Sequence, residues 1–470
     1  MSETSTSRAK TSGVDLVFPA GFRWGAATAA FQIEGSTRAD GRTDSIWDTF
    51  CRIPGAVAGG DTGDPAADHY RRMADDVALM AELGLGVYRF SVAWPRVCPD
   101  GDARVNPAGL DFYSRLVDEL LSAGITPWIT LYHWDLPQVL EDAGGWTSRV
   151  TAQRFADYAA ATAARLGDRV RFWTTLNEPW CSALLGYASG EHAPGRTDPV
   201  AAVAAAHHLM LAHGLGVEAL RAALPDATVG VTLNFAPISS ADPGSAADVE
   251  AARRIDGLQN RLFLDAVAHG AYPVDVAADL DPYGLADHVR DGDLAVIGAP
   301  IDLLGVNYYR DAVVAGGDAE RLPSPWVGAA EVRFVERDVH RTGQGWEVTP
   351  DGLHRLLTDL HREVPHLPLY VTENGAAYPD VVTPDGQVHD LERTRFLEAH
   401  VRACHRAIAD GVDLRGYFAW SLLDNFEWAY GYAQRFGIVH VDYETQVRTV
   451  KDSGHWFAEL ARTGRLPAST

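Results

Sequence analysis

The stretch RFWTTLNEP (residues 171–179) runs through bulky and β-branched side chains without polar alternation, then stops on asparagine, glutamate and proline. A strand with one wet face alternates apolar and polar residues, whereas an unbroken apolar run suits a strand covered on both faces, as in a parallel sheet. Seven further stretches are β-rich, several of them likewise apolar without alternation: FRWGAATAA from Phe22, GVYRFSVAW from Gly86, TPWITLYHW from Thr126, TVGVTLNF from Thr228, LLGVNYY from Leu303, LYVTENG from Leu369 and GYFAWSLL from Gly416. Helical patterns fill the intervals. RRMADDVALMAELG places Met73, Val77, Met80 and Leu83 at helical spacing and stops at Gly84, and AAVAAAHHLMLAHGLGVEALRAALP ends at Pro225.

Eight strand-then-helix units without a break in composition predict an α/β chain forming one (β/α)8 TIM barrel over residues 14–466, preceded by a polar, Ser/Thr-rich mobile tail over residues 1–13. Active sites of such barrels sit at the carboxyl ends of the strands. The two longest irregular stretches, 36–68 and 310–345, follow strands one and six, emerge at that end and are expected to shape a pocket.

Composition narrows the partners. Lys and Arg number 40 against 63 Asp and Glu, a net charge of −23, which opposes binding to nucleic acid or to anionic membranes. The opening MSETSTSRAKTSGVDLVF lacks the apolar core of a secretory signal, and no run of 18 apolar residues is apparent, so a soluble cytoplasmic protein is expected. Cys51, Cys98, Cys181 and Cys404 lie far apart with no CxxC pair, and free thiols are expected. His207, His208 and His213 form the densest histidine group. Their helix belongs to the outer ring, away from the strand ends, so no metal is expected there, nor any cofactor elsewhere.

Two carboxylates stand out. Glu178 ends strand four and Glu373, in VTENG, ends strand seven, so both face the barrel mouth. A lone glutamate at a strand end is most often an ordinary charged loop residue. A pair flanking one cleft is what glycoside cleavage requires, one carboxyl giving a proton to the departing oxygen and the other meeting the oxocarbenium-like carbon. Arg89, at the end of strand two, can reach the barrel centre and favour ionised Glu373. Glu178, facing that charge, would hold a proton at neutral pH.

The ordered set FRWGAATAAFQIEG, YRFSVAWPR, YHWDLP, TLNEP, LGVNYY, VTENG, SLLDNFEWAYGY and RFGIVHVDY resembles glycoside hydrolase family 1, the β-glucosidases and their relatives, along nearly the whole chain. The resemblance implies a retaining double displacement with Glu178 as acid/base and Glu373 as nucleophile. It further implies Asn177 on the sugar 2-hydroxyl, Tyr309 against the nucleophile and Asn307 nearby. Gln32, His133, Trp420, Glu427 and Trp428 would surround the non-reducing sugar, with Trp180 and Phe436 near the departing group and the sugar. Asn234, at the end of strand five, is a weaker pocket candidate. Either tryptophan of the sugar shell, taken alone, is more often a core residue.

The resemblance implies small neutral β-glucosides as substrates: cellobiose and other cello-oligosaccharides, as in cellulose degradation, and aryl or alkyl glucosides. Relatives acting on 6-phosphosugars replace the Glu427–Trp428 pair, and a carboxylate there repels phosphate. Gln32, His133 and Glu427 can bond to either C4 epimer, so galactosides and fucosides stay open. A transglycosidase shares the first step and differs only in the acceptor. A non-catalytic sugar-binding relative is the reading from another class, and the presence of both glutamates weighs against it.

Overall fold

A computed structural model describes residues 15–468; the expected tail over 1–13 lies outside them. All eight predicted runs become strands: β1 (Arg23–Ala27), β2 (Val87–Ser91), β3 (Thr126–Tyr132), β4 (Phe172–Asn177), β5 (Thr228–Phe235), β6 (Leu303–Tyr308), β7 (Leu369–Asn374) and β8 (Leu414–Trp420). They pair in parallel in chain order and close into a barrel, β8 returning to β1 with Gly416 opposite Arg23 and Trp420 opposite Ala27. Outer helices follow each strand: α1 (His69–Glu82), α2 (Pro107–Ser122), α3 (Arg149–Leu166), α4 (Pro199–Ala223), α5 (Leu262–His269), α6 (Pro350–Glu363), α7 (Leu391–Ala409) and α8 (Asp452–Thr463).

The barrel interior grades from apolar to polar along its axis. Near the strand starts Trp128 packs its ring 4.9 Å from Phe172, 5.1 Å from Tyr370 and 5.3 Å from Phe418, and its indole N–H donates to Thr174 at 2.8 Å. Aromatic bulk therefore plugs one end. Further along, the Thr372 hydroxyl donates to Asn307 Oδ1 at 2.8 Å, and beyond it lie Arg89, Asn177 and Glu373. The glycine of VTENG has a steric reason: a Cβ on Gly375 would lie 1.7 Å from the Trp420 carbonyl oxygen. Only glycine lets the ends of β7 and β8 approach so closely.

Three expectations change. Helix α4 contains an 18-residue window of mean hydropathy 1.5, long and apolar enough to cross a membrane, although no such run was expected. Of that window 89% is buried within the protein, and its apolar surface is used on every side because α3 and the Asp293–Ile297 helix pack over it. Stretch 36–68 buttresses the pocket from behind. It carries a short helix, Ile46–Phe50, fixed by a Ser45–Asp48 capping box, and its Trp47 packs 4.7 Å from Trp428. Stretch 310–345 is more ordered than its sequence suggests: Ala312–Ala315 pairs with Arg333–Phe334 and with Ile238–Ser240 in a three-stranded sheet beside the barrel mouth.

Candidate active site

A cavity of about 240 Å³ opens at the carboxyl ends of the strands, with Glu178, Glu373 and Glu427 in its wall. Glu373 ends β7 at a position 2% exposed. Arg89, fully buried on β2, donates from Nη1 to Glu373 Oε1 at 2.6 Å and from Nη2 to Asn177 Oδ1 at 2.7 Å. The Tyr309 hydroxyl donates to Glu373 Oε2 at 2.8 Å. Both oxygens of Glu373 thus have a donor.

Glu178 lies just past β4 with φ +48°, in the left-handed region that a non-glycine residue occupies at a cost. Trp134 and Trp428, also in the cavity wall, share this conformation. The Asn307 amide donates to Glu178 Oε1 at 2.6 Å, and the Cys181 thiol donates to Oε2 at 3.2 Å. Among the described residues no cation touches Glu178. Burial first, and the Glu373 charge second, push its carboxyl up to about 8. Burial also raises Glu373, but the Arg89 ion pair and the Tyr309 hydrogen bond oppose it. The pair therefore carries one proton at neutral pH, on Glu178, and one charge, on Glu373.

The expected sugar-binding residues gather here, with some duties redistributed. His133, Glu427, Trp420, Trp428, Trp180, Phe436 and Asn234 line the cavity. The His133 ring lies nearly parallel to Trp420 and Trp428, at 5.7 and 5.9 Å, and burial holds it neutral. Its Nε2 is 3.1 Å from the Asn177 amide nitrogen, while Nδ1 is buried without a partner among the described residues. Gln32 stands behind the wall. Its amide nitrogen is committed to Asn425 Oδ1, Phe426 O and Glu427 Oε2, so of the donor and acceptor roles expected of it only the unpartnered Oε1 acceptor is left. Asn177 likewise lies behind the wall with its side-chain Oδ1 engaged by Arg89 and Asn307. Asn307, expected near the nucleophile and in the substrate shell, lines the cavity and directs its amide to Glu178 and Asn177. Glu427 is raised to about 8 by burial and then by the charges of Glu373 and Glu178.

The loops after β7 and β8 share one buried ionic cluster. Lys451 joins Asp380 to Asp424, Arg393 joins Asp380 to Asp390, and Arg435 pairs with Asp424. Lys451 and Asp424 have no solvent exposure. A buried cation and anion are tolerable only when so paired.

Sequence reasoning missed several wall residues. Cys181 stands three residues after Glu178 at the start of a wide helical turn, Cys181–Ser189, and that spacing was a usable signal. Trp134, whose indole donates to the Asn177 carbonyl oxygen at 2.9 Å, directly follows the chosen His133. His192, Trp326 and Trp346 come from loops with no periodicity to mark them, and Gln259 from the helical turn Gly257–Arg261. Trp180 packs against Trp326 at 5.2 Å, and Trp326 against Phe334 at 5.2 Å, both with tilted rings, extending an aromatic run outward from Glu178. The outer-ring histidines have separate partners: His207 meets Asp293 and Tyr272, His208 the Trp146 carbonyl, and His213 the Thr175 hydroxyl.

A carboxylate held ionised opposite a carboxyl held protonated, in a cleft lined by aromatic rings and unpartnered polar atoms, can cleave a glycosidic bond. Comparison with known proteins agrees. The family model for glycosyl hydrolase family 1 matches residues 14–465. Thermostable beta-glucosidase B of Thermobispora bispora is 54% identical over 96% of this chain and 92% of its own length. A bifunctional beta-D-glucosidase/beta-D-fucosidase of Bifidobacterium breve is 48% identical over 94% of this chain and 97% of its own. Among solved structures, the psychrophilic beta-glucosidase BglU of Micrococcus antarcticus superposes with a TM-score of 0.92 at 54% identity, covering 96% of this chain and 98% of that one. Beta-glucosidase from Thermotoga maritima in complex with deoxynojirimycin gives 0.91 at 45% identity, covering 96% and 100%. The two-glutamate cleft, the closed barrel and the match over almost the whole length leave one assignment: the chain belongs to glycosyl hydrolase family 1.

Proposed function

We propose that the protein is a retaining β-glucosidase that removes terminal β-glucosyl residues from cellobiose, short cello-oligosaccharides and aryl glucosides. The observation that carries the assignment of roles is the unequal environment of the two glutamates: Glu373 receives donors from Arg89 and Tyr309, whereas Glu178 touches no cation among the described residues and is raised to about 8. In the first step a Glu373 oxygen bonds to the anomeric carbon as the bond to the departing oxygen breaks, and Glu178 passes its proton to that oxygen. Esterified Glu373 has no charge, so the repulsion that adds to burial in keeping Glu178 protonated falls away. Glu178 then takes a proton from water, whose oxygen bonds to the anomeric carbon and frees Glu373 with configuration retained.

Breadth toward β-fucosides is the second reading, supported by the bifunctional Bifidobacterium breve relative. Cleavage of 4-nitrophenyl β-glucoside tests the proposal, with Glu373→Gly assayed with and without azide. The expected result is active wild type, an inactive variant, and azide rescue giving the α-glucosyl azide. Inactivity of the wild type on gluco-, galacto-, fuco- and mannoside alike would overturn it.

A further inference from the structure

Arg310 is a wall residue whose charge has no counterpart. The cavity is bordered by the ionisable side chains of Glu178, Glu373, Glu427, Asp311 and Arg310. Asp311 is neutralised by Arg337 and Arg355, and the nearby Glu347 by Arg337 and Arg341. Among the described residues Arg310 forms neither a salt bridge nor a hydrogen bond, and the acids around it can turn to it only by abandoning their own partners.

The guanidinium is nevertheless held in place. Its central carbon lies 5.3 Å from the centre of the Trp346 ring, which itself stands 5.5 Å from Tyr309 and 6.1 Å from Phe436 in the cavity wall. Stacking of this kind fixes the plane of an arginine and leaves its N–H edge free for a planar anion. Arg310 directly follows Tyr309 on the chain and is exposed, whereas Gln32, His133 and Glu373 are buried. The part of a substrate that reaches it is therefore the outward part, the aglycone.

We infer that Arg310 recognises negative charge on the leaving group, giving the site a preference for β-glucosides whose aglycone carries a carboxylate or comparable planar anion. This rests on the β-glucosidase reading. A net charge of −23 repels anions from the molecule at large, so a local cation at the cavity mouth is the feature that offsets the repulsion where the aglycone sits. A carboxylate can accept from two guanidinium N–H groups at once, a geometry lysine does not offer.

The test compares kcat/KM for the β-glucosides of 4-hydroxybenzoate and of its methyl ester, in wild type, Arg310→Gln and Arg310→Lys. Differences in leaving-group chemistry cancel when the charged-to-neutral ratio is compared between enzymes. The ratio is expected to fall about fivefold in Arg310→Gln, to fall less in Arg310→Lys, and in wild type to shrink as salt is added. Turnover of the neutral ester should be nearly the same in all three. An unchanged ratio in Arg310→Gln, with the neutral ester still turned over, overturns the inference alone. Failure of wild type on both substrates overturns the β-glucosidase reading and the inference with it.

Discussion

Arg89 Nη1 lies 2.6 Å from Glu373 Oε1, and the other arm of the same guanidinium holds Asn177, so one side chain aligns the ends of β2, β4 and β7. Replacing it with methionine removes the charge that opposes the effect of burial on Glu373. Glu373 then rises further, and because it must be ionised to attack, the acid limb of kcat/KM moves to higher pH. Arg89→Met is expected to lower kcat/KM on an aryl glucoside about 100-fold at neutral pH. A rate–pH profile measures both effects, and an unmoved acid limb would contradict the assignment.

Glu178 sets the alkaline limit. A proton held up to about 8 is lost as pH rises through that value, and the general acid goes with it. The Cys181 thiol, kept protonated by burial and by the Glu178 charge, donates to the ionised form of Glu178 and so favours it. Cys181→Ala removes that donor and should move the alkaline limb upward by roughly half a pH unit, whereas Cys181→Ser should not. A downward shift in the alanine variant would contradict the donor role.

Glu427 links the pocket to stability. Its carboxyl is raised to about 8 in the folded protein against an ordinary value of 4.5. Between these values the folded state holds a proton that the unfolded state has released, so its contribution declines as pH climbs from about 4.5 to about 8 and is fully unfavourable above. Glu427→Gln removes the titration. Its Tm should be close to wild type at pH 5 and several degrees higher at pH 9, a difference that calorimetry at the two pH values reads directly.

The aromatic run outward from Glu178 should act on the leaving group more than on the sugar. Trp180→Ala and Trp326→Ala are each expected to reduce kcat/KM for cellobiose about tenfold while changing that for methyl β-glucoside little. Equal losses on both substrates would place these rings elsewhere in the binding mode.

The barrel was legible because its strands are covered on both faces, and unbroken runs such as LYVTENG are bounded by loops and helices with a different period. Glu178 and Glu373 were legible for a related reason: a polar residue at the end of such a run must face the mouth. Residues that serve the site from behind were harder to read. Gln32 and Asn177 have the right chemistry for hydroxyl groups, but which of their atoms remain free depends on Asn425, Phe426 and Arg89, which arrive from distant parts of the chain. Trp326, Trp346 and Arg310 come from the insertion after β6, which is anchored by the pairing of residues 312–314 with Ile238–Ser240, a long-range contact no local pattern announces. The buried acid Asp424 reads as a surface residue until its partner Lys451 is known.

The ionic cluster around Lys451 joins the loop that leaves the nucleophile to the loop that carries Glu427. Neither loop can loosen alone without stranding a buried charge for the other, so heat should not melt the two halves of the mouth in sequence. Recognition of the sugar and the power to cleave it should then vanish together on warming, at one temperature, as a single cooperative event.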